Sequence, residues 1–323
     1  MISITEQELK FTASQHGYRP EILEKVYRLL DLIDVFMNVP FLKRTLVLKG
    51  GTAINLFCTD QLPRLSLDID FNYIGSTDRE IMLSDKNEID RLISDICSTQ
   101  QYAIIRNPKA HAGGKAVIEY ASLLGTKGRI ELDINYLYRS PLWEPTFNYS
   151  ANWPKSVGVN LLDIHELAAG KLHALLDRDA GRDLFDSHRL LNFWPLDFKK
   201  LRLAFTVYAG MRAKGWRNLS SNKITLNVKD IRNKLIPVLK RDLIPGTTFN
   251  DIRPWAEIMV NESVKAFEKL LPFHENEIQF LTSLEEELKI KPELLSDDEG
   301  FCNATRNHSA LLWRIKVSQN QRK

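Results

Sequence analysis

Apolar and polar residues alternate from Leu67 to Tyr73: Leu67, Ile69 and Phe71 interleave with Asp68 and Asp70. A period of two belongs to a strand with one face in the core, so both carboxylates are expected on one side of it. The pattern returns in Arg129 to Tyr136, where Ile130, Leu132 and Ile134 alternate with Glu131, Asp133 and Asn135. Apolar groups in Pro20 to Val39 recur at helical spacing instead: Ile22, Val26, Leu29, Leu30, Ile33 and Phe36. Thr45 to Leu48 reads as a short strand running into Gly50-Gly51-Thr52, with a helical turn over Ala53 to Cys58. A helix follows over Asp78 to Ser98, entered through Ser76, Thr77 and Asp78. Further strands are expected at Tyr102 to Arg106 and Lys115 to Ser122, bounded by glycine turns.

A connector rich in Pro and Trp, Pro141 to Pro154, ends this mixed pattern. Beyond it helical periodicity dominates: Asp163 to Asp177, Arg182 to Asn192, Leu196 to Lys214, Val228 to Lys240, Pro254 to Leu271 and Glu275 to Lys289. Asp163 followed by Glu166 predicts a capping box at the first of these helices. The expected architecture is α+β, with a mixed sheet and flanking helices over residues 1–150 and a helical domain over residues 151–323.

An apolar fraction of 44% with 26% charged residues supports a packed core rather than a disordered chain. No run of about 18 apolar residues is present to span a bilayer, and the N-terminus lacks the basic-then-apolar order of a secretory signal. A cytoplasmic protein without membrane contact is expected. Cys58, Cys97 and Cys302 are too few and too scattered for a disulfide framework or a thiolate zinc site. The charge is unevenly spread. Lys199 to Arg253 holds thirteen Lys and Arg against three Asp, and an acidic stretch runs from Glu275 to Glu299. Two readings fit: a face for a polyanion such as RNA, or a helix face docked on that acidic stretch.

Two carboxylates held side by side repel unless a cation lies between them. Asp68 and Asp70 therefore point to a divalent metal, Mg2+ or Mn2+, completed by water and substrate phosphates. A strand, two glycines and a helix start at Gly50, Gly51 and Thr52 make a seat for an anion, because glycine allows close backbone approach and helix-start amides donate outward. Glycine-hinged strand, DxD strand and second acidic strand together fit a nucleotidyltransferase core of the DNA polymerase β type. Metal-held carboxylates there bind the triphosphate and activate an attacking hydroxyl. The third acid is expected at Asp133, with Glu131 as the fallback. Zinc-protease HExxH, P-loop, GxSxG and kinase motifs are absent.

Three blocks, KGGTAINLFCTDQLPRLSLDIDF, IELDINYLYR and KLHALLDRDAGRDLFDSHRLL, appear in order over roughly residues 45–192. This pattern resembles the AbiEii family of abortive-infection nucleotidyltransferases, toxins of bacterial toxin–antitoxin systems. The resemblance implies a nucleotidyltransferase-like sheet and places Gly50, Gly51 and Thr52 against the triphosphate, with Arg64 and Ser66 just before the metal-binding Asp68 and Asp70. It matches Asp133 to the acidic position of the second block, and Lys171, Arg178, Arg182, Asp183 and Asp186 to positions of the third. From it, Lys171 is expected on nucleotide phosphate beside Arg182, and Asp183 is expected to be required for activity. It also implies transfer of a nucleoside monophosphate from a nucleoside triphosphate to an acceptor, with the 3′ end of tRNA favoured, growth arrest as the outcome, and a cognate antitoxin as partner. Rival expectations are a small hydroxyl acceptor or protein side chain, and a non-catalytic nucleotide-binding module.

Overall fold

In the computed structural model, which describes residues 4–107, 113–151 and 154–321, the chain divides into two compact units. The first comprises residues 1–139, 145–162 and 237–244, and the second residues 140–144, 163–236 and 245–323.

The first unit is built on seven strands: β1 (Leu46–Lys49), β2 (Asp68–Tyr73), β3 (Ala103–Arg106), β4 (Gly113–Ala121), β5 (Lys127–Asn135), β6 (Thr146–Tyr149) and β7 (Gly158–Leu161). They form one mixed sheet in the order β3-β4-β5-β2-β1-β7-β6. β2 lies antiparallel to β1 and parallel to β5 at the centre of the sheet. Around them are the helices α1 (Glu6–His16), α2 (Pro20–Met37), α3 (Pro40–Thr45), α4 (Gly50–Thr52) and α5 (Arg79–Thr99). α4 continues as a π-helical turn over Ala53–Phe57.

α2 turns Val26, Leu29, Leu30, Ile33 and Phe36 into the core, as its spacing requires, with Leu23 buried in place of the expected Ile22, and packs on β2, β5 and β7. Asp78 caps α5 by accepting from the amides of Glu80 and Ile81 at 2.8 and 2.9 Å. Lys86, Asp90 and Ile93 of α5 line a small cavity with Leu132 and Ile134 of β5. α5 thus covers the apolar side of the sheet, opposite the Asp and Glu positions of the same strands.

β6 arises inside the expected connector, and β7 beyond it, ahead of the first expected helix, where no strand was expected. β6 is exposed along its whole length and carries no alternation, whereas β7 alternates over only four residues, Gly158 to Leu161, too few to stand out. Residues 152–153 of the expected connector lie outside the described residues.

The second unit is helical: α6 (Ile164–Asp177), α7 (Gly181–Phe193), α8 (Phe198–Gly210), α9 (Val228–Asp230), α10 (Phe249–Phe267), α11 (Glu275–Thr282), α12 (Glu299–Arg306) and α13 (Ser309–Gln321). The continuous helix expected over Val228 to Lys240 is instead a chain of short turns. Pro237 has no amide to give a helix. The following residues join the first unit, where the Val238 carbonyl accepts from Leu65 N at 2.9 Å and Arg241 N donates to Gly17 O at 3.0 Å.

The expected capping box is half present. Asp163 caps α6 through the His165 amide at 2.9 Å. Glu166 turns inward instead and accepts from the Leu142 amide at 2.9 Å and the Tyr208 hydroxyl at 3.3 Å. Burial pushes its carboxyl up to about 8. No helix among the described residues is long and apolar enough to cross a membrane.

Candidate active site

Register decides which acids share a face. Asp68 and Asp70 are half-buried while Ile69 and Phe71 are fully buried, the alternation expected of β2. In the parallel β2–β5 pairing Asp68 stands beside Glu131 and Asp70 beside Asp133. Directly paired residues point to the same side of a sheet, so four carboxylates occupy one face. Lys49 stands beside Asp70 on β1, and Lys115 beside Asp133 on β4.

Glu131 and Asp133 differ in their partners. Lys115 Nζ donates to Glu131 at 2.6 Å, and this hydrogen bond holds the Glu131 carboxyl below its ordinary range. Asp133 is the acid abreast of Asp70. Among the described residues, no three His, Cys, Asp or Glu side chains already converge as a metal cage. A ready-made cage is not what Mg2+ requires, since it keeps several waters and completes its octahedron with carboxylates and substrate phosphate as these arrive. The hard oxygen donors on this face fit such an ion.

The glycine turn abuts the same acids. Gly50 has φ +74°, and a Cβ there would come within 2.4 Å of Asp70 Oδ2. Only glycine permits both the left-handed backbone and that approach. A Cβ on Gly51 would meet Arg64 Nη2 at 3.0 Å and Ser66 Oγ at 3.1 Å, so the glycines, Arg64 and Ser66 form one cluster. The Thr52 hydroxyl donates to the Asp68 carbonyl, tying the helix start to the carboxylate strand. Arg64 is 2% exposed, and its Nη1 donates to the Leu65 carbonyl at 3.0 Å. Its backbone bridges to Leu239, so the returning segment 237–244 supports it. That support had no sequence signal, because it joins residues some 175 positions apart. Lys115 was also missed, although it stands on the polar face of β4 and could have been read from the same alternation.

The third block lies in the second unit. Lys171 Nζ is 2.9 Å from Asp183 Oδ1 and 3.1 Å from Asp186 Oδ2, and Arg178 Nε is 2.6 Å from Asp183 Oδ2. Both aspartate side chains are almost wholly buried and that of Lys171 is 10% exposed. Burial works to raise the Asp183 carboxyl, but Lys171 and Arg178 outweigh it and hold it below its ordinary value. Arg182 is half-buried on α7, next to Asp183 in the chain.

His173 is a core residue. Its Nε2 lies 2.8 Å from the Phe205 carbonyl, which can only accept, so Nε2 carries the proton. Burial lowers its pKa to about 4, which keeps the ring neutral. Phe205 stacks on it at 4.3 Å and is fully buried.

The basic stretch is largely matched by acids. Lys200 pairs with Asp163, Arg202 with Glu277, Arg212 and Lys214 with Asp177, Arg217 with Glu285 and Glu286, Lys234 with Asp230, Lys240 with Asp242 and Arg253 with Glu257. Glu277, Glu285 and Glu286 belong to the acidic stretch, so part of the cationic run docks there.

Comparison with known proteins bears on both halves. The family profile described as nucleotidyl transferase AbiEii toxin, type IV toxin–antitoxin system, matches residues 32–266. The fold is similar to that of MenT4, a nucleotidyltransferase toxin from Mycobacterium tuberculosis H37Rv, with a TM-score of 0.61 over 96% of this chain and 99% of that one, at 16% identity. No curated protein matches the sequence significantly.

Proposed function

The chain belongs to the AbiEii family of type IV toxin–antitoxin nucleotidyltransferases, and on that premise we propose that it transfers a nucleoside monophosphate from a nucleoside triphosphate to RNA, at the 3′ end of tRNA. The observation that carries the reading is the register that aligns Asp68 and Asp70 with Glu131 and Asp133, beside a glycine turn.

Asp68, Asp70 and Asp133 would hold Mg2+ or Mn2+, which when bound offsets the charge of the triphosphate and lowers the pKa of the attacking hydroxyl. Gly50 and Gly51 let the backbone lie directly against Asp70, Arg64 and Ser66, and the amides at the start of α4 would donate to a phosphate held there. Arg64 and Ser66 line the same cluster. Asp133, level with Asp70 on the neighbouring strand, is the acid we assign to the acceptor hydroxyl. Lys171, Arg182 and Asp183 are assigned to activity through the third block of the family. Lys171 meets phosphate as a point charge whose direction its two aspartates fix. The partner is a cognate antitoxin and the site of action the cytoplasm.

Incubation with Mg2+, each labelled triphosphate and total RNA, followed by separation of the RNA species, tests the reading. Label on tRNA with wild type and none with Asp70→Asn is the expected result. Absence of transfer from all four triphosphates counts against it.

A small hydroxyl compound or a protein side chain as acceptor is the second reading. The ion pairing of the basic stretch favours it, because cations already matched by carboxylates offer less to a phosphate backbone. Salt-dependent RNA binding, weakened by Lys199→Glu, separates the two.

A further inference from the structure

Lys115 is a cation on the carboxylate face that lies outside the motif blocks. Along the face the order is Lys49 on β1, Asp68 and Asp70 on β2, Glu131 and Asp133 on β5, and Lys115 on β4. Lys115 is paired by register with Asp133, yet its ammonium reaches diagonally to Glu131 at 2.6 Å. Both side chains of that ion pair are close to half exposed.

We propose that Lys115 is the resident counter-cation of this face, a positioning residue that keeps Glu131 out of the metal set and leaves Asp68, Asp70 and Asp133 as ligands. Four carboxylates at adjacent register positions would otherwise compete for one ion in several arrangements. Binding one of them to an ammonium removes that freedom. The bond is exposed enough that its loss leaves the fold intact. The proposal rests on the metal-binding reading above, and its test keeps the two apart.

Mn2+ binding to the full chain without nucleotide, followed by electron paramagnetic resonance of the free ion, reads affinity and stoichiometry with no need for turnover. Lys115→Met removes the ammonium bonded to Glu131, leaving Lys25 and Arg106 as its neighbouring cations, and is expected to tighten Mn2+ binding roughly fivefold, the scale of one nearby charge in a partly solvated site. Lys115→Met combined with Glu131→Gln restores the neutral pair and is expected to return to within about twofold of wild type. Asp133→Asn is expected to weaken binding on its own. If the double variant binds as poorly as Asp133→Asn, Glu131 is a ligand and the proposal falls. An unchanged affinity in Lys115→Met overturns it as well. Should Asp70→Asn bind Mn2+ as wild type does, the metal site itself is misassigned, a separate failure. Far-UV circular dichroism of each variant verifies the fold.

Discussion

The protein holds two groups of aspartates that look alike in sequence and differ in how their charge is matched. On the sheet, Asp68, Asp70, Glu131 and Asp133 share a half-exposed face on which Lys115 and Lys49 are the neighbouring cations. In the helical unit, Asp183 and Asp186 are buried around Lys171, with Arg178 on the outside. Surplus negative charge facing solvent attracts a cation the protein does not itself supply, whereas buried charge survives only when it is paired and hydrogen-bonded. On the proposed reading the first arrangement binds a cation, and the second holds a lysine in one place. Substitutions should separate them: at the sheet, activity falls and stability is kept; at the helices, stability falls too.

Asp70→Asn gives the largest contrast. Nucleotide transfer should drop on the order of a thousandfold, the scale of losing a group that stabilises transition-state charge. The melting temperature should hold or rise, since one of four like charges is gone. Transfer at near wild-type rate would end the assignment of the sheet face as the site. Asp183→Ala should cost about 3–5 kcal/mol of stability in denaturant unfolding, because it takes a buried carboxylate away from the buried ammonium of Lys171. Its pH behaviour follows from the lowered pKa. The stabilisation is complete above the ordinary aspartate value of 3.8 and is lost as pH falls through the lower value in the folded chain, so wild type and variant should converge in strong acid.

Glu166 runs the opposite way. Its folded pKa of about 8 lies above the ordinary 4.5, so its contribution is greatest below pH 4.5 and declines as pH rises through 8. Glu166→Gln should remove that slope and stabilise the protein by roughly 5 kcal/mol at pH 9. An unchanged pH profile would mean the carboxyl is ionised in the native state. Smallest in energy is Gly50→Ala, at about 1–2 kcal/mol for a left-handed residue. Its clash with Asp70 should still impair transfer more than stability, a split that thermal melts and the labelling assay read together.

The alternation in β2 and β5 was legible because a half-buried strand must place every second residue in water, and the periodicity of α2 was legible for the matching reason. The glycine pair was legible as a turn, and its role emerged with Asp70 occupying the space a Cβ at Gly50 would need. Asp163 was read correctly as a cap, but Glu166, expected to complete the box, has its side chain in the core, where longer-range amides at Leu142 and Trp143 outcompete the local one. The cations of residues 199–253 left two readings open, and the partners that chose between them for Arg202 and Arg217 lie about 70 residues away.

By itself, the sequence determined which residues could share a face, since strand and helix periods are properties of the local backbone. Tertiary structure alone decided which faces meet: that β5 lies parallel beside β2 in the register that levels Asp133 with Asp70, that Lys115 takes Glu131, and that residues 237–244 return to support Arg64. Those choices rest on pairing between segments distant in the chain, where the energy of packing the whole, rather than any local preference, selects the partner.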